Sequence, residues 1–254
     1  MLARLVRADV RLLSPVRTKT PDVRRDLAVL KARDAMVRAR TLLINNVRGI
    51  LRSMGIKLSG LTPDNFGLKA FKFLPPELTM ALNEPVVQIQ HMTKAIQALD
   101  RQVERLCAKR PETKAVRQIK GVGPLTALAF VLVVGDPARF KDARRLGAYL
   151  GLTPKRDQSG DSDKPLSISK AGDKLLRRLL VEAAAYVLGP FGAPCALRVF
   201  GERIATRGGK IARRKARVAV ARKLAIVMLS LWKSGEVYIP EGKKRAKKKT
   251  AMAA

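Results

Sequence analysis

The sequence predicts a mainly α-helical protein, in which a long antiparallel coiled-coil helical hairpin precedes a compact helical domain with a helix-hairpin-helix element. Three observations predict it. Apolar pairs recur every seven residues between Asp22 and Met54, a second run in steps of three and four extends from Ile89 to Leu106, and glycine turns punctuate short helical stripes beyond Pro111. The expected organisation is a stalk over residues 22–110, a second domain over 111–240 and a basic tail over 241–254.

The chain opens on a helical pattern, Leu2, Leu5 and Val6, with no Ser, Thr, Asp or Asn before it to cap the first turn. That pattern reads as a helix entered in its middle, and a frayed start produces it equally well. In the stalk, Val29/Leu30, Met36/Val37, Leu43/Ile44 and Ile50/Leu51 place one apolar stripe on one helix face. Asp34, Thr41 and Arg48 dilute that seam, which leaves open whether it pairs within the chain alone or also with a second copy. Ile89, Met92, Ile96, Leu99, Val103 and Leu106 form the returning stripe. Between them Gly55, Gly60, Pro63, Gly67, Pro75, Pro76 and Pro85 predict an irregular connection over 55–85, across which the two helices fold back.

The second domain starts with Ile119-Lys120-Gly121-Val122-Gly123-Pro124, followed by Leu125, Leu128, Ala129 and Leu132 at helical spacing. The segment resembles a helix-hairpin-helix. Gly121 and Gly123 let backbone approach a phosphate, the new helix offers its first amides, and Lys120 adds a charge. A tight turn between core helices is the plainer alternative. A strand over Phe130 to Val134 is another, with Asp136 as a metal-binding carboxylate of an RNase-H-like nuclease; Gly121 and Pro124 favour the helix.

Phe140 to Thr153 reads as a short amphipathic helix ended by Gly151 and Pro154. The polar residues Lys155 to Lys164 after it read as an irregular loop carrying Ser159, Ser162 and three aspartates, Asp157, Asp161 and Asp163, whose spacing matches no calcium loop. On physical grounds alone a serine beside glycine there is a solvated turn residue. Ser167 and Ser169 precede a buried stripe of Leu175, Leu176, Leu179, Leu180 and Ala183, either as helix caps or, with Lys170, as phosphate donors, and Arg177 and Arg178 flank the stripe.

Between Arg198 and Lys223 ten basic residues face one acid, Glu202. Arg203, Arg207, Lys210, Arg213, Arg214 and Arg217 cannot all find partners within the chain, so this stretch is expected to meet nucleic-acid backbone. A closing helix is expected from Arg222 to Trp232. The tail Lys243 to Lys249 is a like-charge block and is expected to be disordered.

Composition narrows the partners. The 52 Lys and Arg against 20 Asp and Glu give a net charge of +32, a self-repulsion that a polyanion relieves. The longest apolar run, Ala127 to Val134, is far short of the ~20 residues a spanning helix needs. Arg4, Arg7 and Asp9 break any signal-peptide segment, so a cytoplasmic location without membrane partners is expected. Cys107, Cys195 and the single His91 cannot build a four-ligand zinc site, and no metal site is expected in this chain. Aromatics make up only 4%, which poorly supplies a base-stacking platform of the kind that binds single strands and favours backbone contact by Lys and Arg.

The ordered motifs Ile119-Lys120-Gly121-Val122-Gly123-Pro124, Ala148-Tyr149-Leu150-Gly151-Leu152-Thr153-Pro154, Gln158-Ser159-Gly160, Ile168-Ser169-Lys170-Ala171-Gly172 and Arg177-Arg178 together resemble the C-terminal domain of a family of bacterial insertion-sequence transposases. Full-length members join a RuvC-like acidic domain to a serine-bearing domain and are relatives of the Piv-type invertases. The resemblance implies DNA transposition, DNA and a structured bridge RNA as partners, and Ser159 as a nucleophile that forms a phosphoserine link to DNA. Lys155, Arg156, Arg177 and Arg178 complete the expected nucleic-acid-binding set, and the heptad seam predicts a homo-oligomer through the coiled coil. The resemblance also makes residues 1–21 the end of the acidic domain, so that the metal-binding carboxylates, with their magnesium, would lie upstream of Met1 and this chain would hold no cofactor. Two other readings remain: a noncatalytic nucleic-acid-binding remnant, and a metal-dependent nuclease built on Asp136, Asp157 and Glu182.

Overall fold

A computed structural model describes residues 2–9, 18–159 and 162–241. It is mainly helical, with ten α-helices and one two-stranded sheet among the described residues. The expected disordered tail lies outside them, apart from Glu241.

After the short α1 (Leu2–Ala8), α2 (Pro21–Ser53) and α4 (Pro76–Ala108) each run 33 residues, about 50 Å at ~1.5 Å per residue. Pro21 and Pro76 sit in their first turns, where a missing N–H costs nothing, and the Thr20 side chain caps α2 by accepting from the Val23 amide. The helices are antiparallel, since Asp26 pairs with Arg110, Arg33 with Asp100, and Arg40 donates to Thr93 at 3.2 Å. The polar residues that dilute the first seam have partners within the chain. Asp34 bridges Arg38 and Arg178, and the Arg48 guanidinium lies 5.4 Å from the Phe66 ring centre while donating to the Leu61 carbonyl.

Two expectations for the connection need correction. It is folded rather than irregular: α3 (Phe66–Lys69) and a 3-10 turn over Ala70–Phe73 pack Leu61, Phe66 and Ala70 onto Ile44, Val47, Leu51, Leu82, Val86 and Ile89 as a small second core. Gly67 permits this approach, because a Cβ there would come 2.7 Å from the Gln90 backbone. It also ends at Pro75, with Pro85 lying inside α4. A proline in a helix interior costs about 3 kcal/mol. Burial of Leu82, Val86 and Ile89 around it, at ~1.5–3 kcal/mol each, outweighs that cost.

The second body surrounds α6 (Pro124–Val134), a helix apolar on every face and buried from Thr126 to Val134, which excludes the strand alternative. Against it pack α5 (Glu112–Arg117), α8 (Lys174–Leu188) and the base of α4, and α10 (Gly209–Ser234) closes the same core. The closing helix therefore begins at Gly209 rather than Arg222, since Ala212, Ala216 and Val220 continue its buried stripe by one more stretch. The expected helix over Phe140 to Thr153 shrinks to α7 (Arg145–Tyr149). α9 (Ala196–Ala205) lies between α8 and α10.

The largest correction concerns Lys155 to Lys164. This stretch lies within an antiparallel hairpin of β1 (Pro154–Ser159) and β2 (Ser162–Ile168), with Ser159 opposite Ser162 and Asp157 opposite Lys164. Every residue of β1 is exposed, so the strand leaves no apolar alternation in the sequence to reveal it.

Candidate catalytic hairpin and nucleic-acid interface

Ser159 is the last residue of β1, exposed at the end of the hairpin away from the core-packed Leu152. What holds the hairpin is its base. The segments entering and leaving it cross backbone to backbone, with Lys170 donating to the Gly151 carbonyl at 3.1 Å and Ser169 to the Thr153 carbonyl at 2.9 Å. Gly151 has φ +67° and Gly172 φ +79°; a Cβ on either would collide with backbone of the other segment, at Ala171 and Tyr149 respectively. Lys170, at φ 56°, is the non-glycine residue that takes the left-handed region at this crossing. The Arg177 guanidinium locks both segments by donating to the Leu150 carbonyl at 3.2 Å and the Ala171 carbonyl at 2.8 Å.

Asp173 then starts α8, its carboxylate accepting from the Leu176 amide at 2.8 Å, so the helix cap is Asp173 and neither Ser167 nor Ser169. Nearby, the Lys19 ammonium donates to the Leu132 and Val133 carbonyls at the end of α6. Burial lowers its pKa, with Asp173 opposing the shift and Arg139 and Lys31 adding to it.

The candidate binding residues fall into groups. Lys155 and Arg156 are exposed on β1, and Lys170 is exposed at the hairpin base. Lys120, Gly121 and Gly123 form the turn between α5 and α6, where Gly121 has φ +98° and packs so closely on Tyr186 that a Cβ would lie 2.9 Å from the ring. This turn borders a groove of about 470 Å³ that Arg117, Glu182 and Tyr186 also line. Lys210, Arg213, Arg214 and Arg217 repeat at helical spacing along one exposed face of α10, beyond the exposed Arg203 and Arg207 at the end of α9. Among the described residues none of these six has an acidic partner within ion-pair distance.

Arg177 and Arg178 stand apart, because internal bonds engage both. Arg178 pairs with Asp34 of the stalk and with Glu182 at 3.4 Å, tying α2 to α8. Arg198 is likewise held by Glu202 and by the Gly189 and Gly192 carbonyls.

Other basic residues escaped the sequence reading. Lys215 and Arg222 line a groove with Val218, Ala219 and Ile226, a stripe in steps of three and four that the dense charge of this region hides. Arg144 joins them from the α7 side, across a separation in sequence that no local pattern records.

Among the described residues no three His, Cys, Asp or Glu side chains come together as a metal site. Asp136 instead caps the turn after α6, accepting from the Ala138 amide at 2.8 Å. The described residues thus do not fit a divalent ion. No described helix is long and apolar enough to cross a membrane.

Residues 113–195, which contain the α5–α6 turn, the hairpin and α8, match the family model described as the transposase IS116/IS110/IS902 family. The chain is 32% identical over 194 residues to the transposase for insertion sequence element IS1111A of Coxiella burnetii, covering 72% of this chain and 51% of that protein. It is 29% identical over 220 residues to a probable family 20 transposase of Pseudomonas aeruginosa, covering 83% and 64%. A pilin gene-inverting protein of Moraxella lacunata is 33% identical over 144 residues, or 55% of this chain and 44% of that protein. The chain thus spans between 51% and 64% of the length of the first transposases it matches.

Proposed function

We propose, from the premise that residues 113–195 are a transposase domain of the IS116/IS110/IS902 family, that the chain acts in DNA transposition by binding nucleic acid and presenting Ser159 to a DNA phosphodiester. The observation that carries this reading is the hairpin. A strand pair whose first strand is exposed along its whole length is held at its base by a glycine crossing and the Arg177 clamp, with a hydroxyl at the end of that strand. Rigid support beneath an exposed nucleophile supplies the positioning that phosphoryl transfer needs. Ser159 Oγ attacks phosphorus, the bond from phosphorus to one sugar oxygen breaks, and the serine proton passes through solvent to the released sugar oxygen, which becomes a free hydroxyl. The phosphoserine link retains the bond for religation to a second strand.

Around the hairpin, the α5–α6 turn acts as a helix-hairpin-helix that gives amides and Lys120 to a phosphate. The faces bearing Arg203, Arg207, Lys210, Arg213, Arg214 and Arg217 hold the backbone, and Lys155, Arg156 and Lys170 hold the strand near Ser159. The resemblance adds a structured guide RNA as a second ligand, and the seven-residue repeat of α2 supports pairing of two copies through the stalk. A noncatalytic binding role is the alternative, favoured by the absence of any His beside Ser159 to take its proton.

The test places residues 113–195 in the corresponding segment of the IS1111A transposase and offers a nicked donor duplex from which the leaving strand diffuses away. A covalent protein–DNA adduct mapping to Ser159, lost in Ser159→Ala while binding stays within about threefold, is expected. An adduct on Ser162 or Ser169, or full strand exchange by Ser159→Ala, would overturn the assignment.

A further inference from the structure

Beside the hairpin base, opposite its outer face, runs a groove of about 760 Å³. Its floor is apolar: Leu152 from the segment entering the hairpin, Pro154 from β1, Ile168 from β2, and Val218, Ala219 and Ile226 from α10. Leu166 stands on the lip, 46% exposed. Around the floor lie Arg144, Arg214, Lys215, Arg222 and Lys223, and among the described residues no acidic side chain lines it. Two of these cations are positioned by packing. A Cβ on Gly147 would lie 2.7 Å from Arg222 Nε, so the glycine makes room for that side chain, and Lys223 Nζ lies 4.3 Å from the Phe200 ring centre.

A basic rim alone suits any phosphate backbone, paired or not. The apolar floor is more selective. A duplex keeps its base faces stacked and offers this floor little beyond sugar edges, whereas an unstacked nucleotide offers a flat base face between two phosphates. The groove volume lies within the ~300–1,000 Å³ typical of a small-molecule site.

We propose that this groove receives one unstacked nucleotide of a bound strand, its base on the floor between Pro154 and Ile226 and its flanking phosphates on Arg144, Arg214 and Lys215. The proposal rests on the nucleic-acid reading above and adds a structural feature of the substrate, a local unpaired position. From Pro154 to Ser159, β1 advances roughly 17 Å at ~3.3 Å per residue. At a duplex spacing of ~3.4 Å per nucleotide along each strand, the unpaired position lies on the order of five nucleotides from the phosphate at Ser159.

The full chain is titrated with a 30-base-pair DNA duplex, the same duplex carrying one bulged 2-aminopurine, and the RNA counterparts of both. The bulged duplex of at least one nucleic acid is expected to bind about tenfold more tightly than its paired form, and that arm identifies whether the nucleotide belongs to DNA or RNA. Two neutral substitutions on separate elements are then compared: Ala219→Leu, which fills the floor, and Leu166→Asn, which makes the lip polar. Each is expected to reduce the preference to within twofold and to leave paired-duplex binding unchanged. Equal binding of bulged and paired duplexes by the wild-type chain would overturn the proposal while leaving the nucleic-acid reading intact. So would retention of the preference by both variants when their circular dichroism matches wild type. Failure to bind any of the duplexes at low salt would overturn the nucleic-acid reading and this inference with it.

Discussion

Gly151 and Gly123 show how much one methyl group decides in this molecule. Gly151 has φ +67° and lies against the Ala171 backbone, whereas Gly123 has an ordinary φ of −80° and open space where a Cβ would stand, with nothing within 4 Å. Left-handed backbone costs a non-glycine residue roughly 1–2 kcal/mol, and forced overpacking a further ~1–3 kcal/mol. Gly151→Ala is therefore expected to lower stability by about 2–5 kcal/mol in urea unfolding. Gly123→Ala, which replaces a tolerated N-cap residue, should cost about 1 kcal/mol or less. Equal effects would show that the backbone crossing does not constrain the hairpin base. Ser159 belongs to the same scale, since the role proposed for it would depend on the glycine crossing and the Arg177 clamp at the hairpin base.

At the scale of elements, α4 carries an interior proline that its sequence pattern argues against. The amide missing at Pro85 would have bonded the Ala81 carbonyl one turn earlier, and neighbouring burial keeps the helix continuous without it. Pro85→Ala is expected to restore that bond and stabilise the helix by about 1–3 kcal/mol, read as a rise in thermal midpoint. A fall would mean that a bend at Pro85 is needed to seat α3 against the stalk. The hairpin shows the converse case. Its strands have no apolar pattern, and their pairing shows only in the register that sets Asp157 opposite Lys164 and Ser159 opposite Ser162.

For the whole molecule, the net charge of +32 governs behaviour more than any single contact. The exposed Arg and Lys of α9 and α10 point to a binding mode dominated by counterion release. If about eight phosphates are neutralised, affinity for duplex DNA falls by roughly four decades between 50 and 200 mM salt. A flat response would rule out backbone neutralisation as the source of affinity. The Asp34–Arg178 pair gives the molecule a second large-scale feature, because it joins the stalk directly to α8, the helix whose first turn carries the Arg177 clamp.

The sequence by itself determined the helical class, the two long helices and their return, the central α6, the excess of positive charge and the chain order of the motifs. Each of these is written in local composition or in a period along the chain, which is why it can be read without coordinates. Only the tertiary structure decided that Gly151 and Gly172 cross, that Arg177 and Arg178 bond inward, that residues 155–164 lie within a hairpin, and that Arg144, Leu166 and Arg214 border one groove. These depend on contacts between segments far apart in the chain, or on backbone pairing between exposed polar residues. Neither leaves a periodic mark, because close packing selects the partners only after the helices have been brought together.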